Sequence, residues 1–220
     1  MQRSSNAPVV GYNVVMSCWM RSHRVRSFVL AGVLALPMGG VAATTSYAAK
    51  VAGIVMPDFR TVDGVNLVLN GIGLRTYSIL RINIYVAGLY LTHPDQDARS
   101  ILASRSMKVL RIHFVHSVSG VQVRRAWRKG LIRNCRQPCT LSTSLLHRFL
   151  HAVRPVRAGE SFTFVFDQWG ADVYEGGRLL GRIANPRFSR LMLAVFIGHD
   201  TTQPTLKREL LGIGEKLSAR

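Results

Sequence analysis

One arginine lies inside the most apolar stretch of the chain, "NGIGLRTYSILRINIYVAGLYL", residues 70–91. Arg75 keeps its charge at any ordinary pH, and burying an unpaired guanidinium is costly. Its planar array of donors suits a carboxylate, which it can bind with two parallel hydrogen bonds. Two interpretations stay open. Arg75 binds an anionic ligand, or it is structural and either reaches solvent or pairs with an acid such as Asp58 or Asp63.

The other reactive side chains form no recognisable catalytic set. His147 and His151 are spaced i, i+4 on a predicted helix, but no third metal ligand is evident nearby. Acids are few, and three of them, Asp167, Asp172 and Glu175, cluster around one predicted hairpin, where turn and surface roles are normal. The "GIGLRT" segment begins like a dinucleotide fingerprint, but it lacks the third glycine and a strand pattern follows it. We therefore predict no cofactor and no metal, and we assign no catalytic residue.

The first 48 residues have the pattern of an N-terminal extension followed by a signal peptide. Basic residues follow Met20, and the apolar run from Phe28 to Leu36 is too short to span a bilayer. Ser46 and Ala48 are small residues two apart, which predicts cleavage after Ala48. A membrane anchor or a buried helix is the alternative. On this interpretation the protein is exported, to the periplasm if the host is Gram-negative, and residues 49–220 form the mature domain.

Two cysteines, Cys135 and Cys139, remain after removal of such a signal peptide. An even number of cysteines in an exported chain favours a disulfide bond, here closing a very short loop between two predicted helices. Two free thiols are the alternative.

The chain is strongly basic, with a formal net charge of +18. Such a charge suits nucleic acid, an anionic membrane surface or acidic ligands, and export makes nucleic acid the least favoured of the three. A solvated arginine-rich surface explains most of these residues. A further hypothesis is that the basic helix predicted over 121–133 binds a partner or a membrane surface. The sequence leaves the oligomeric state open.

The elements that must position these residues form an α+β pattern. Strands are predicted over 54–69, with a turn at Asp63-Gly64, over 74–91 from its β-branched and aromatic content, over 108–115 from its alternation, and over 160–183. Helices are predicted near 94–104, 117–134, 142–153, 185–198 and 205–211. In the second of these helices, one face is predicted to hold the apolar residues Val123, Ala126, Trp127, Leu131 and Ile132. Helices covering one face of an antiparallel sheet are the expected architecture.

Three blocks of sequence together resemble the chalcone isomerase-like family, in its bacterial exported branch. They are "VDGVNLVLNGIGLRTYSILRINIYVAGLYL", "HFVHSVSGVQVRRAWRKGL" and "YEGGRLLGRIANPRFSRLMLAVFIGHDTTQPTLKRELLG". The resemblance covers roughly residues 51–212. It implies an open-faced sandwich, in which a large antiparallel sheet is covered by a layer of helices and a ligand lies in the cleft between them.

The resemblance implies two activities. In the isomerases, which close a flavanone ring, the arginine matched by Arg75 positions the substrate. At four further polar positions of their site this chain has Tyr85, Val123, Gly130 and Val195, and three of these are apolar or glycine. In the non-catalytic members, an arginine and a tyrosine on the next strand hold a fatty-acid carboxylate, and Arg75 and Tyr85 match this pair. We therefore predict a protein that binds a fatty acid or a similar amphipathic carboxylate. The alternative is an isomerase, an intramolecular lyase acting on a small unsaturated ketone such as a chalcone.

Overall fold

Seven antiparallel strands form one sheet, in which every strand pairs with its neighbour in the sequence. The structure is a computed structural model and describes residues 48–77, 81–136, 139 and 141–213. A separate hairpin, β1 (Ala48–Val51) and β2 (Ile54–Pro57), precedes the sheet. The strands of the sheet are β3 (Phe59–Val62), β4 (Val65–Tyr77), β5 (Ile82–Leu91), β6 (Lys108–Phe114), β7 (Ser161–Phe166), β8 (Ala171–Glu175) and β9 (Arg178–Ile183).

Five helices lie within the described residues, and their bounds follow local start signals in the sequence. They are α1 (Ala98–Ala103), α2 (Gly120–Asn134), α3 (Thr143–Ala152), α4 (Pro186–Ile197) and α5 (Pro204–Leu210). The Ser119 hydroxyl accepts from the backbone of Gln122 to cap α2, and the Asn185 side chain caps α4, with Pro186 in its first turn. Within the described residues, no helix is both long and apolar enough to cross a bilayer.

The main core lies between one face of the sheet and the helices, which confirms the predicted open-faced α+β sandwich. On the sheet this core contains alternate residues of β5, β6 and β7 together with Ala171 of β8, and on the helices it is centred on α4 and α5. Its fully buried members include Leu89, Leu110, Met192 and Leu206. The opposite face of β4 and β5 is covered by the β1–β2 hairpin, whose Met56 packs in a cluster with Ile72 and Val86.

Helix α5 contacts the backbone of β4, and two glycines make this possible. A Cβ atom at Gly73 would lie 2.8 Å from both Glu209 Cβ and Leu206 Cδ1, and one at Gly71 would lie 2.6 Å from the carbonyl oxygen of Leu210. The Glu209 carboxylate in turn accepts a hydrogen bond of 3.0 Å from the backbone of Leu74. The two glycines of "GIGLRT" therefore allow α5 to pack directly on β4, which explains why glycine occurs at both positions.

Two residues predicted on the apolar face of α2 lie elsewhere in the structure. Ala126 and Ile132 were assigned to the apolar face of α2, but both are exposed, with Ile132 55% accessible. Gly130 takes the inward position instead, because α2 packs closely on α4 there.

The predicted Cys135–Cys139 disulfide is present and closes the loop between α2 and α3. The predicted signal peptide falls outside the described residues except for Ala48, and it stays a prediction.

Candidate ligand-binding cleft

A cavity of about 800 Å³ lies between strands β6–β9 and helices α2 and α3. Its interior is formed by aromatic and aliphatic side chains that extend from both layers. Trp127 of α2 is central, with edge-to-face contacts to Phe149 of α3, at 5.2 Å, and to Phe164 of β7, at 5.8 Å between ring centroids. The other apolar residues of the lining include Ile112, Phe114, Val123, Leu145, Val156, Phe162 and Val173. The cavity is therefore suited to an extended apolar group.

The cavity opens between the C-terminal part of α3 and the edge strand β9, and arginines line that opening. Arg148, Arg154 and Arg178 all line the cavity and are all exposed. Glu175 forms ion pairs with Arg154 and, at 3.1 Å, with Arg178. Arg148 has no hydrogen bond or ion pair with any residue in the described part of the chain. The mouth of the cavity is therefore cationic, and its interior is apolar.

Arg75 and Tyr85, the residues predicted to bind a head group, lie directly opposite each other on β4 and β5. Directly opposite residues share a face, so both side chains are on the helix-facing side together with Gly71 and Gly73. The register of the two strands shifts immediately beyond this pair, between Arg75 and Thr76. A β-bulge of this kind locally re-aims side chains and is common beside functional sites.

The electrostatics of the pair suit an anion. Burial raises the pKa of Tyr85 to about 12, and the positive charge of Arg75 opposes part of that shift. The phenol therefore stays protonated at neutral pH and can donate a hydrogen bond. Arg75 is partly buried and makes no hydrogen bond or ion pair within the described residues, so the proposed ion pairs with Asp58 and Asp63 are not formed.

The Arg75–Tyr85 pair adjoins the cavity but is not part of its lining. A row of aromatic rings joins the two: the ring centroid of Tyr85 lies 5.4 Å from that of Phe114, which lies 6.0 Å from that of Phe162. Phe114 and Phe162 both line the cavity. The predicted head-group position is thus one aromatic ring away from the cavity, on the side remote from the arginines of the mouth.

Three positions where the isomerases have polar groups are apolar here, and the structure shows what replaces them. Val123 is part of the cavity lining. Gly130 and Val195 pack against each other between α2 and α4, and a Cβ at Gly130 would lie 2.6 Å from Val195 Cγ1. A larger residue at position 130 would fit only if these two helices separated. At positions 130 and 195, a helix-to-helix contact therefore takes the place of the polar groups that the resemblance implies.

The arginines of the mouth were not identified from the sequence. Arg178 and Arg154 are brought together only by tertiary structure, and the shared Glu175 was assigned to an ordinary hairpin surface. The one available indication was Arg148, which lies between His147 and Phe149 on an amphipathic helix. Among the described residues, no group of three or more histidines, cysteines or acids is placed to hold a metal ion.

Comparison with known proteins relates this architecture to others. A family model described as "chalcone isomerase-like" matches residues 48–212. Among solved structures, a fatty-acid binding protein of Arabidopsis thaliana superposes with a TM-score of 0.62 at 16% sequence identity, covering 75% of this chain and 96% of the plant chain. At this identity the likeness concerns the fold alone. No curated protein matches the sequence significantly.

Proposed function

The chain belongs to the chalcone isomerase-like family, and from this we propose that it is a non-catalytic member that binds a fatty acid or a similar amphipathic carboxylate. The observation that carries the proposal is the cavity of about 800 Å³ beneath α2 and α3, with its aromatic interior. An acyl chain has no polar atoms that require partners, so such an interior can take it up by burying apolar surface alone.

We propose that Arg75 and Tyr85 bind the carboxylate of this ligand. An unpaired guanidinium and a neutral phenol on the same face offer three donors to one carboxylate, two of them charge-assisted. The acyl chain would then pass along Phe114 into the cavity, following the row of rings described above. The plant protein with the same fold is described as a fatty-acid binding protein, which accords with this ligand class.

The isomerase alternative has less support from the cleft. Ring closure of a phenolate onto an unsaturated ketone requires donors placed at the developing charge. Within the described cavity lining, side-chain hydrogen-bonding groups belong to Trp127, with its indole N–H, to Asn185 and to the arginines. Asn185 Oδ1 caps α4 by accepting from the backbone of Phe188 at 2.9 Å, which fixes the side chain and leaves only its Nδ2 group to donate.

Trp127 provides a direct measurement of ligand binding. A fatty acid brominated along its chain quenches a tryptophan that it touches, and Trp127 lies in the cavity wall, whereas Trp169 is 66% exposed. In a variant with both Trp19→Phe and Trp169→Phe, Trp127 is the single tryptophan of the chain, and titration with brominated fatty acids is expected to give saturable quenching. No saturable quenching would contradict the proposal, and cyclisation of a chalcone by the same preparation would favour the isomerase.

The head-group assignment is tested by two matched arginine substitutions. We expect Arg75→Ala to weaken binding by about 2–4 kcal/mol, roughly thirty- to a thousandfold, because a charge-assisted contact is lost in a poorly hydrated site. Arg75→Lys should restore only part of this loss, and Tyr85→Phe should cost about 1 kcal/mol. Arg148→Ala, at the opposite end of the cavity, is the control. If Arg148→Ala loses affinity and Arg75→Ala does not, the carboxylate binds at the mouth instead.

A further inference from the structure

The two helices that cover the cavity carry no acidic residue. No aspartate or glutamate occurs in the sequence between Asp97 and Glu160, a segment that includes all of α2, the disulfide loop and α3. Basic residues are frequent throughout it. Because opposite charges are missing locally, the outer surface of these helices presents an unusually uniform positive potential to the surroundings.

On α2 the outward basic residues are free to meet an external anion. Arg125, Arg128 and Lys129 are exposed, and none of them forms a hydrogen bond or ion pair with any residue that the structure describes. Arg133 and Arg136, by contrast, contact the backbone oxygen and the carboxylate of Asp200, each at 3.2 Å. We call the first three residues, together with Val121 and Ile132, the outer face of α2.

The outer face of α2 is apolar at both ends. Val121 is 59% exposed and Ile132 is 55% exposed, and the spacing 121, 125, 128, 132 places both on one stripe with Arg125 and Arg128. Exposed aliphatic residues beside arginines suit the interface of a lipid bilayer, where apolar side chains insert and basic ones meet phosphate. A nucleic acid backbone would offer these two aliphatic residues nothing to bury against.

The opposite side of the same helix faces the cavity. Val123 and Trp127 line it from α2, and Phe149 lines it from α3. Arg124 ties the two helices together, since its Nη1 donates to the Val153 carbonyl at 3.0 Å. A surface bound to the outer face of α2 would therefore be one helix thickness from the ligand, with the open side of the cavity next to α3.

We propose that the outer face of α2 docks on an anionic phospholipid bilayer, so that the cavity exchanges its ligand with that membrane. The identity of the exchanged ligand rests on the proposed function. The docking itself requires only the positive charge and the exposed aliphatic residues of the outer face of α2. Electrostatic attraction gives the initial association, and burial of Val121 and Ile132 completes it.

Vesicle sedimentation tests the docking. The protein is expected to bind vesicles of phosphatidylglycerol and phosphatidylcholine at low ionic strength, and to bind neither pure phosphatidylcholine vesicles nor the anionic ones in about 1 M NaCl. Near an anionic leaflet each basic residue is worth roughly fivefold in affinity, so the triple variant Arg125→Gln, Arg128→Gln, Lys129→Gln should bind roughly a hundredfold more weakly.

A matched triple variant controls for net charge. Lys50→Gln, Arg99→Gln and Arg105→Gln remove the same charge from exposed positions on β1, on α1 and just after α1, and should leave vesicle binding within a fewfold of the parent. Equal losses in both triples, salt-independent binding, or preferential binding of duplex DNA over vesicles would overturn the docking proposal.

Ligand binding in solution separates the two proposals. The α2 triple variant should take up brominated fatty acid as the parent does, with the same quenching of Trp127, because its three positions lie outside the cavity lining. Transfer of the same fatty acid from loaded anionic vesicles should be slower than for the parent. If the α2 triple variant takes up fatty acid normally and also receives it from vesicles at the parent's rate, the docking proposal is refuted and the proposed function is not. If the parent itself takes up no fatty acid, the proposed function is refuted, and vesicle sedimentation still tests docking.

Discussion

Lys108 is buried and Arg75 is partly buried, and neither cation has an anionic partner among the described residues. Arg75 makes no hydrogen bond or ion pair within the described residues, although it faces the side of the sheet where the cavity lies. Lys108 is 6% exposed, and its Nζ donates to the carbonyl oxygens of Ser104 and Ser106 at 2.7 and 2.8 Å. The ammonium of Lys108 therefore has a structural role, because it binds backbone carbonyl groups of the segment just after α1. The guanidinium of Arg75 has none, and this favours a ligand there.

Lys108 gives the stability of the protein a specific dependence on pH. Burial, aided by the charge of Arg190, lowers the pKa of Lys108 from 10.5 to about 8. Between these two pH values the unfolded chain holds a proton that the folded chain has released, so stability rises as pH increases from about 8 towards 10.5. Below pH 8 both states are protonated, and the full cost of burying the charge is present.

We expect the Lys108→Met variant to lack this increase. Measured by urea unfolding at pH 7 and pH 9.5, the parent should gain up to about 2 kcal/mol relative to the variant. Comparison with the variant cancels the contribution of every other titrating group. Lys50→Met, which removes an exposed lysine from β1, should follow the parent. A constant difference between parent and Lys108→Met across this pH range would show that the ammonium is not buried at a cost.

Contact between α5 and β4 holds α5 against the strand on which Arg75 lies. We expect Gly71→Ala to destabilise the fold by about 1–3 kcal/mol, because the added methyl overlaps the backbone of α5, which cannot move as a side chain can. Gly181→Ala on β9 is the matched control, since no heavy atom lies within 4 Å of the Cβ it adds. Chemical denaturation measures both, and equal stabilities of the two variants would contradict this close packing.

At the scale of helices and strands, the sequence predicts an element well when neighbouring capping or turn residues mark where it begins or ends. The capped start of α4 at Asn185 and the turn at Gly64 are where the sequence indicates them, since capping and turn geometry depend on a few neighbouring residues. The family resemblance implied only that Tyr85 lies on the strand next to that of Arg75, and their directly opposed register was not predicted.

The remaining features depend on contacts between distant segments, which no local pattern encodes. Ile132 was assigned to the core because it is apolar, and only the packing of α2 on α4 through Gly130 shows that it faces outward. The cavity likewise depends on how far α2 and α3 stand from β7. The cavity reaches Phe114 but not Tyr85, because the rings of these two residues pack against each other.

At the scale of the described domain, the cavity lies on one side of the sheet and a small, separate apolar layer lies on the other. The β1–β2 hairpin forms that layer, and its Met56 is fully buried against Ile72, Val86 and the backbone at Gly88. Without the hairpin, the middle of β4 and β5 would present apolar residues to water on the face opposite the helices. The strands that carry Arg75 and Tyr85 thus depend on the first residues of the predicted mature domain.

Two shortened chains test this dependence together with the predicted domain boundary. A chain that begins at Ala49 keeps all but the first residue of the hairpin and should unfold in urea as one cooperative unit. A chain that begins at Asp58 lacks it and should be less stable by roughly 3–6 kcal/mol, because two apolar side chains, Val51 and Met56, no longer bury their surface against the sheet. Since the loss is on the face remote from the helices, the shorter chain should still bind brominated fatty acid when it is folded. Equal stability of the two chains would mean that the hairpin is dispensable. A mature exported protein whose first residue lies well before Ala49 would refute the predicted cleavage site.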